Sequence, residues 1–284
     1  MGWYLLASCL IAFPCSAAPR GNGNHTPSDL PRPDHIVIVV MENKSFSDII
    51  GNPNAPYINA LAKEGALLVQ SYAITHPSQP NYLALFSGST QSVGDDSCPH
   101  TLTGPNLESE LISAGLSFGT YSEAMPSAGY TGCVHGRYYR KHNPAVNWQG
   151  YNVPPFTNMP FSSFPSDYNQ LPTASLVIPN IVNDMHDGSI ATGDTWLKDH
   201  LGAYVRWART HNSLLILTWD EGRRFLWLFG NNRIPTILSG EMVHPGDYDR
   251  RVDHYDMLRT LLDMYGLAPL GKSADAKPIT DIWQ

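Results

Sequence analysis

Uninterrupted apolar runs along the chain predict strands that are buried on both faces of a sheet. The first runs from Ile36 to Met41 and is rich in β-branched residues, and a second runs from Leu214 to Trp219. Neither run alternates with polar residues, which is typical of a parallel sheet covered by helices on both sides. Further strands are predicted at 66–72, 116–121, 175–178 and 234–238.

Segments with helical periodicity alternate with these strands. The longest is 192–211, and its apolar stripe consists of Trp196, Leu197, Leu201, Tyr204, Val205 and Ala208. Shorter helices are predicted at 57–64, 82–86, 107–114 and 255–265. The alternation predicts an α/β fold, a three-layer sandwich with a mostly parallel central sheet.

The regions outside this pattern define the domain organisation. Residues 19–33 are rich in Gly, Asn and Pro and are expected to form a flexible lead-in. Residues 122–172 show little periodicity, and a loop region of that length is usually functional or locally folded, so we interpret it as a wall of the functional site. Because the sequence shows no internal repeat and no linker, residues 34–284 are predicted to form a single catalytic domain.

The first residues resemble an export signal. An apolar stretch from Trp3 to Phe13 precedes the small residues of 15–18, although no Lys or Arg comes before it. We expect residues 1–18 to be a signal peptide and the mature chain to be secreted. No later apolar run reaches the roughly 18 residues needed to span a bilayer, so no transmembrane segment is predicted.

Composition excludes two classes of partner. The chain has 284 residues, of which 42% are hydrophobic and 15% charged, so a sizeable core is available. Its formal net charge is −7. A protein that binds nucleic acid through the phosphate backbone needs clustered Lys and Arg, as does a protein attracted to anionic membranes, and the chain has no such cluster.

The cysteines fit an oxidising compartment. Cys9 and Cys15 would leave with the signal peptide, and the mature chain would keep Cys98 and Cys133. A pair of cysteines in an exported protein is most simply a disulfide. Two free buried thiols are the alternative.

Polar side chains follow the two longest apolar strands. Glu42 and Asn43 come directly after the first, and Asp220 and Glu221 after the second. In an open α/β sheet, ligands bind beyond the carboxyl ends of the strands. Carboxylate and amide oxygens gathered there suit a divalent cation. Taken singly, the first pair could instead cap a helix, and the second could be a solvated turn.

Two further segments carry candidate chemistry. Ser78 lies between a predicted strand and a predicted helix, where a hydroxyl can face a site and the helix N-terminus favours an anion. His186 and Asp187 lie in the segment 183–189, after the strand at 175–178. Ser78 could be a simple turn residue, and His186 with Asp187 a loop pair. Because all four segments fall at predicted strand ends, a common site is the better interpretation.

The sequences of these segments resemble those of a phosphoesterase family that groups bacterial acid phosphatases with non-specific phospholipases C. This family lies within the alkaline-phosphatase-like superfamily. The similarity extends from about Asp34 to Trp283. It is carried by the segments 75–78, 80–86, 183–189, 218–221 and 278–283. An alkaline-phosphatase-like fold is therefore expected.

The resemblance implies a role for each matching residue. The implied ligands of a divalent metal ion of unknown identity are Glu42, Asn43, Asp220 and Glu221. Ser78 matches a hydroxyl nucleophile that family members carry as Ser or Thr. A serine hydroxyl is a weak nucleophile until a cation or a base stabilises its alkoxide.

Other matches concern the substrate. His186 matches a histidine that serves the leaving group, and a histidine can exchange a proton near neutral pH. Lys141, His142 and Asn143 resemble a phosphate-side pocket, and His254 a further active-site histidine. An acidic pH optimum is expected if one of these histidines must be protonated.

The resemblance implies a secreted acid phosphatase that hydrolyses phosphate monoesters through a phosphoserine intermediate with metal assistance. Small phosphate monoesters and phosphoinositide head groups are the expected substrates. One alternative is a phospholipase C-like phosphodiesterase that uses the same residues. Another is an inactive secreted binding protein that has kept the fold.

One segment departs from the family pattern. The family usually continues after the acidic pair with acidic and small residues, whereas here Gly222, Arg223 and Arg224 lead into the apolar stretch 225–229. The stretch is either a buried strand or helix turn, or an exposed flap that touches lipid. This departure affects the expected entrance, the substrate choice and the position of Glu221, and leaves Ser78 and the pair Glu42 and Asn43 unaffected.

Overall fold

A computed structural model of the chain describes residues 30–149, 154–223 and 232–284. The predicted signal peptide 1–18, most of the lead-in and the apolar stretch 225–229 lie outside these ranges. Among the described residues, no helix is both long enough and apolar enough to cross a membrane.

The described strands and helices follow the alternation expected from the sequence. The strands are β1 (His35–Met41), β2 (Ala66–Leu68), β3 (Ser71–Tyr72), β4 (Phe118–Ser122), β5 (Val134–His135), β6 (Tyr138–Tyr139), β7 (Asn158–Pro160), β8 (Ala174–Ile178), β9 (Ser213–Trp219), β10 (Thr236–Gly240), β11 (Gly246–Tyr248) and β12 (Val252–Asp253). The helices are α1 (Phe46–Ile49), α2 (Pro56–Glu64), α3 (Ser78–Ser87), α4 (Leu107–Ser113), α5 (Ile190–Ala208) and α6 (His254–Met264).

A mixed eight-stranded sheet forms the centre of the domain. Its strand order is β11-β2-β10-β9-β1-β8-β4-β7. The run from β9 to β7 is parallel throughout, whereas β10 is antiparallel to both β9 and β2. β1 therefore lies between β9 and β8, and the three segments that follow these strands meet at one edge of the sheet.

Strand β1 shows why the fold has three layers. Its side chains alternate between two hydrophobic cores, with Ile36, Ile38 and Val40 in one and Val37, Val39 and Met41 in the other. Helices α3, α4 and α6 contribute to the first core, and α2 and α5 to the second. The predicted α/β three-layer sandwich with a mostly parallel sheet is confirmed.

Some predicted boundaries differ from the observed ones. The predicted strand 66–72 is divided into β2 and β3 by a turn at Val69 and Gln70. The predicted helix 82–86 begins four residues earlier, at Ser78. The predicted strand at 234–238 begins at Thr236 as β10.

The irregular region 122–172 is locally folded. It contains the hairpin of β5 and β6, the edge strand β7, and short 3₁₀ turns that include 140–142 and 145–148. The predicted disulfide between Cys98 and Cys133 is present and joins this region to the loop after α3. The Arg140 guanidinium supports the same junction, because it donates to the Thr131 carbonyl at 2.6 Å and to the His100 carbonyl at 2.5 Å.

The described end of the predicted lead-in contacts the domain. Leu30 packs against the first core, and the Tyr265 hydroxyl donates to the Pro33 carbonyl at 2.9 Å. The Asn212 amide donates to the Arg32 carbonyl at 3.0 Å. Residues 30–33 are therefore held against the body of the domain.

A buried carboxyl group in α4 predicts a pH-dependent stability. Neither carboxylate oxygen of Glu108 has a hydrogen-bond partner in the described structure, since the nearby Thr157 hydroxyl donates to the Pro154 carbonyl at 2.7 Å. Burial raises the pKa of Glu108 from 4.5 to about 8. The folded chain thus holds a proton that the unfolded chain releases, and stability falls as the pH rises through this range.

We expect Glu108→Gln to raise the melting temperature relative to the wild type by about 3 °C or more at pH 8 and by little at pH 4. Melting curves between pH 4 and pH 8 measure the difference. Glu110→Gln is the matched control in the same helix, because Glu110 is half-buried. Melting temperatures of wild type and Glu108→Gln that stay parallel across this pH range would contradict the prediction.

Candidate active site

Ser78 is the first residue of α3, where the backbone amides have no partner within the helix. The side chain of Asn81 fixes the chain that leads into this turn. Its Oδ1 accepts from the amides of Ile74 and Thr75, and its Nδ2 donates to the carbonyls of Thr75 and Pro77, each at 3.0 Å. The position of the serine is thus set by four hydrogen bonds from one side chain.

The Ser78 hydroxyl contacts the carboxylate that follows β1. Ser78 Oγ donates to Glu42 Oε2 at 3.0 Å, and the Tyr82 hydroxyl donates to Glu42 Oε1 at 2.6 Å. The pKa of Glu42 is raised well above its usual value by burial first, and then by the charges of Asp220 and Asp184. A carboxylate in such surroundings is stabilised by a nearby cation.

The acidic groups after β1 and β9 lie side by side. The Asn43 amide donates to Asp220 Oδ1 at 3.0 Å, and the Asp220 amide donates to the Met41 carbonyl at 2.9 Å. Asn43 has a φ of 53°, a left-handed conformation that asparagine tolerates better than most residues. Burial, followed by the charge of Glu221, raises the pKa of Asp220 to about 8.

Glu221 is connected to the loop that precedes the serine. His76 Nδ1 and Glu221 Oε2 are 2.5 Å apart. The side chain of Asn232 reinforces this link, since its Oδ1 accepts from the Gly222 amide at 2.7 Å and its Nδ2 donates to the Thr75 carbonyl at 2.9 Å. The loops after β3 and β9 therefore hold each other in place.

His142 contacts the same Glu42 oxygen as Tyr82. His142 Nε2 is 3.2 Å from Glu42 Oε1, and His142 Nδ1 is 3.3 Å from Asp184 Oδ2. Burial, and then the charge of Lys141, lowers the pKa of His142 well below its ordinary value. The lowered pKa favours the neutral ring, which is the form of imidazole that binds a metal.

His186 lies beside Glu42 and His142. One donor atom each from Glu42, His142 and His186 lie within 4.8 Å of one another. The His186 amide donates to Asp184 Oδ1 at 2.7 Å, and its ring Nδ1 lies 2.7 Å from Asp187 Oδ1. The segment 183–189 thus brings a histidine to the same carboxylate as Ser78.

The residues present fit a metal ion. Asp220 Oδ2, Asp184 Oδ2 and His142 Nε2 are buried and make no well-formed hydrogen bond in the described structure, although His142 contacts Glu42 and Asp184 at 3.2 and 3.3 Å. Burial also raises the pKa of Asp184 to about 8. Buried carboxyl groups and an imidazole around one carboxylate are costly without a cation, and they are ligands that divalent ions accept.

The remaining predicted site residues differ in their surroundings. Lys141 Nζ donates to Asp96 Oδ2 at 2.9 Å. Asn143 is fully buried, and its amide nitrogen donates to Ser122 Oγ at 3.1 Å and to Asn158 Oδ1 at 2.7 Å. Since both hydrogens of that amide are used within the fold, Asn143 has none left to donate to a phosphate.

His254 holds the backbone of the acidic pair in place. Its Nε2 donates to the Asp220 carbonyl at 2.9 Å. Burial lowers its pKa, which disfavours the charged ring. The geometry assigns His254 to the support of the loop after β9.

Four residues at the site were not assigned a role from the sequence: His76, Tyr82, Asp96 and Asp184. Three of them lie within the segments 75–78, 80–86 and 183–189, which carry the family resemblance. Their position in these segments could have marked them as candidate site residues. Asp96 has no such signal, because it is 45 positions away from Lys141 along the chain. Only the tertiary fold brings this pair together.

Comparison with solved structures shows which fold the chain has. The fold is similar to that of a protein in the alkaline phosphatase superfamily from Vibrio parahaemolyticus, with a TM-score of 0.59, 15% identity and coverage of 88% of this chain and 71% of the other. The likeness concerns the fold, and it confirms the expected alkaline-phosphatase-like architecture.

The sequence comparisons define the family. The phosphoesterase family model matches residues 52–268. The chain is 49% identical to the phosphatidylinositol-3-phosphatase of Mycobacterium tuberculosis over 98% of this chain and 92% of the relative. It is 32% identical to a phosphate-repressible acid phosphatase of Penicillium chrysogenum, over 84% of this chain and 60% of that longer protein. The chain belongs to the phosphoesterase family and is a hydrolase of phosphate esters.

Proposed function

We propose that the protein is a secreted acid phosphatase that hydrolyses phosphate monoesters through a phosphoserine at Ser78, with a divalent ion bound among the acidic groups. The observation that carries the proposal is the 3.0 Å hydrogen bond from Ser78 Oγ to Glu42 Oε2, within a buried acidic cluster at the carboxyl edge of the sheet. The 49% identity to a phosphatidylinositol-3-phosphatase supports a phosphoinositide monoester as one substrate.

In the proposed reaction, Ser78 attacks phosphorus and His186 protonates the leaving group. Ser78 Oγ forms a bond to phosphorus while its proton passes to Glu42 Oε2 and the bond from phosphorus to the ester oxygen breaks. His186 has 27% of its side chain exposed, so it can reach an alcohol leaving group at the surface and donate a proton to its oxygen. Water then attacks phosphorus and loses a proton to His186, while the bond from phosphorus to Ser78 Oγ breaks and that oxygen takes back the proton from Glu42, so that phosphate is released.

The metal ligands proposed from the family resemblance are Glu42, Asn43, Asp220 and Glu221, and the contact of His142 with Glu42 Oε1 at 3.2 Å adds a candidate imidazole. A bound divalent cation supplies positive charge to the serine oxygen and to the phosphate oxygens. Burial lowers the pKa of His142 and of His254, which disfavours their charged forms, so we assign Lys141 to balance the remaining negative charge of the phosphate. We also propose that residues 1–18 are a signal peptide and that residues 34–284 form a single domain.

We expect the enzyme to prefer monoesters to diesters. Lys141 and a bound cation stabilise the doubly charged phosphate of a monoester more strongly than the singly charged phosphate of a diester. The ratio of kcat/KM for p-nitrophenyl phosphate to that for bis(p-nitrophenyl) phosphate should be about 100 or more. Phosphatidylinositol 3-phosphate and phosphatidylcholine form the corresponding lipid pair. A ratio below one with both pairs would identify a phosphodiesterase of the phospholipase C type instead.

A further inference from the structure

A carboxylate outside the proposed ligand set contacts the site at two points. Asp96 Oδ2 accepts from Lys141 Nζ at 2.9 Å, and Asp96 Oδ1 accepts from the amide of Gln79, the residue after Ser78, at 3.0 Å. We propose that Asp96 is a positioning residue of the phosphatase reaction, and that it holds Lys141 and the first turn of α3 in place for phosphate binding. This inference rests on the proposed roles of Ser78 and Lys141.

The charge of Lys141 lies close to the acidic cluster. Burial acts to lower the pKa of Lys141, but the hydrogen bond and charge of Asp96, followed by the charges of Glu42 and Asp220, raise it overall. A lysine side chain is long and flexible, and ordering it during substrate binding costs conformational entropy. The contact with Asp96 orders Lys141 before the substrate arrives, which is preorganisation.

Asp96 also acts on the helix that carries the nucleophile. The Gln79 amide belongs to the first turn of α3, where backbone amides lack partners within the helix. A carboxylate that accepts from such an amide stabilises the turn and interacts favourably with the helix dipole. One side chain therefore connects the nucleophile to the proposed phosphate-binding lysine.

The disulfide joins the two chain segments that carry this ion pair. Cys98 lies two residues after Asp96, and the Cys133 carbonyl accepts from the amide of Arg140, the neighbour of Lys141, at 2.9 Å. The covalent bond therefore connects the backbone beside Asp96 to the backbone beside Lys141. We expect it to keep the two charged groups at their observed separation.

A double-mutant cycle tests the role of Asp96. Asp96→Asn keeps an acceptor for the Gln79 amide but removes the charge that holds Lys141. We expect Asp96→Asn to lower kcat/KM for p-nitrophenyl phosphate about 10-fold and Lys141→Met about 100-fold. Because Asp96 acts through Lys141, the double variant should have the activity of Lys141→Met alone. The inhibition constant for inorganic phosphate should rise in Asp96→Asn.

The matched control is Asp95→Asn, since Asp95 is exposed and accepts from Ser97 in the same loop. It should leave kcat/KM unchanged. An Asp96→Asn effect that persists in full in the Lys141→Met background, or no effect at all, would overturn the positioning role. Unchanged activity of Lys141→Met would overturn the phosphate-binding role in the proposed function, which is a separate failure.

Reduction of the disulfide provides a second test. Dithiothreitol should lower the wild-type activity to about the level of Asp96→Asn and should change the activity of Lys141→Met little. Melting curves under the same conditions verify that the reduced chain is folded at the assay temperature. Full wild-type activity in the reduced, folded chain would show that the disulfide does not hold the ion pair.

Discussion

Ser78→Ala is expected to abolish turnover of p-nitrophenyl phosphate, with kcat lower by about 10³-fold or more. The reason is that Ser78 Oγ is the proposed atom that bonds to phosphorus, and it lies 3.0 Å from Glu42 Oε2 at the start of α3. Folding should be preserved, because the Asn81 hydrogen bonds that fix the turn do not involve the serine side chain. Steady-state kinetics and the melting temperature measure the two effects.

A trapping experiment separates the nucleophile from a supporting serine. Acid quenching with radiolabelled substrate should leave phosphate on the wild-type chain and none on Ser78→Ala. Ser78→Thr should keep part of the activity, since threonine provides the same hydroxyl, and Ser113→Ala in α4 is the control. More than a few per cent of wild-type turnover in a folded Ser78→Ala protein would rule out the proposed role.

The sheet could be predicted from the sequence because its strands are buried on both faces. The apolar runs that became β1 and β9 were located within one residue, and their pairing brought Glu42 and Asp220 together. The antiparallel direction of β10 could not be predicted, since its residues suit either direction and tertiary pairing decides. The start of α3 at Ser78 was also missed, because its first turn contains Pro80, which is tolerated there.

The site was predictable where its residues follow strands. Glu42, Asn43, Asp220 and Ser78 are placed together by sheet geometry. Burial could not be inferred so readily, and burial sets the charge of His142. A histidine beside a lysine suggested positive charge for the substrate, whereas the fold encloses it between two carboxylates and burial lowers its pKa.

The burial of two histidines bears on the expected acidic optimum. Burial lowers the pKa of His142 and of His254, which disfavours their charged forms. The side chain of His186 is partly exposed, with its ring against Asp187. Of the three histidines, His186 is the one that the proposed mechanism assigns to the leaving group.

Removal of the metal ion is expected to abolish activity and to destabilise the fold. Without a cation, burial leaves Asp220 and Asp184 with pKa values raised to about 8, from 3.8. The folded chain becomes less stable as the pH rises through that range, because the same carboxyl groups release their protons at a lower pH in the unfolded chain. The melting temperature of dialysed, metal-free protein should fall from about pH 4 to about pH 8, and added divalent ion should reverse this.

Glu42→Gln distinguishes a metal effect from general damage to the site. The variant should be inactive, yet its metal-free form should melt about 5 °C or more above the metal-free wild type at pH 7.5. Glutamine removes the cost of burying a carboxyl group whose pKa the fold raises, a group that the unfolded chain ionises freely at this pH. The melting temperature of the variant should respond to added metal much less than that of the wild type. Full activity after exhaustive dialysis against a chelator, or equal metal responses of the two proteins, would remove the cation from this site. A stabilised but inactive variant would instead indicate that the buried acidic cluster is maintained for metal-assisted chemistry at a cost to the stability of the fold.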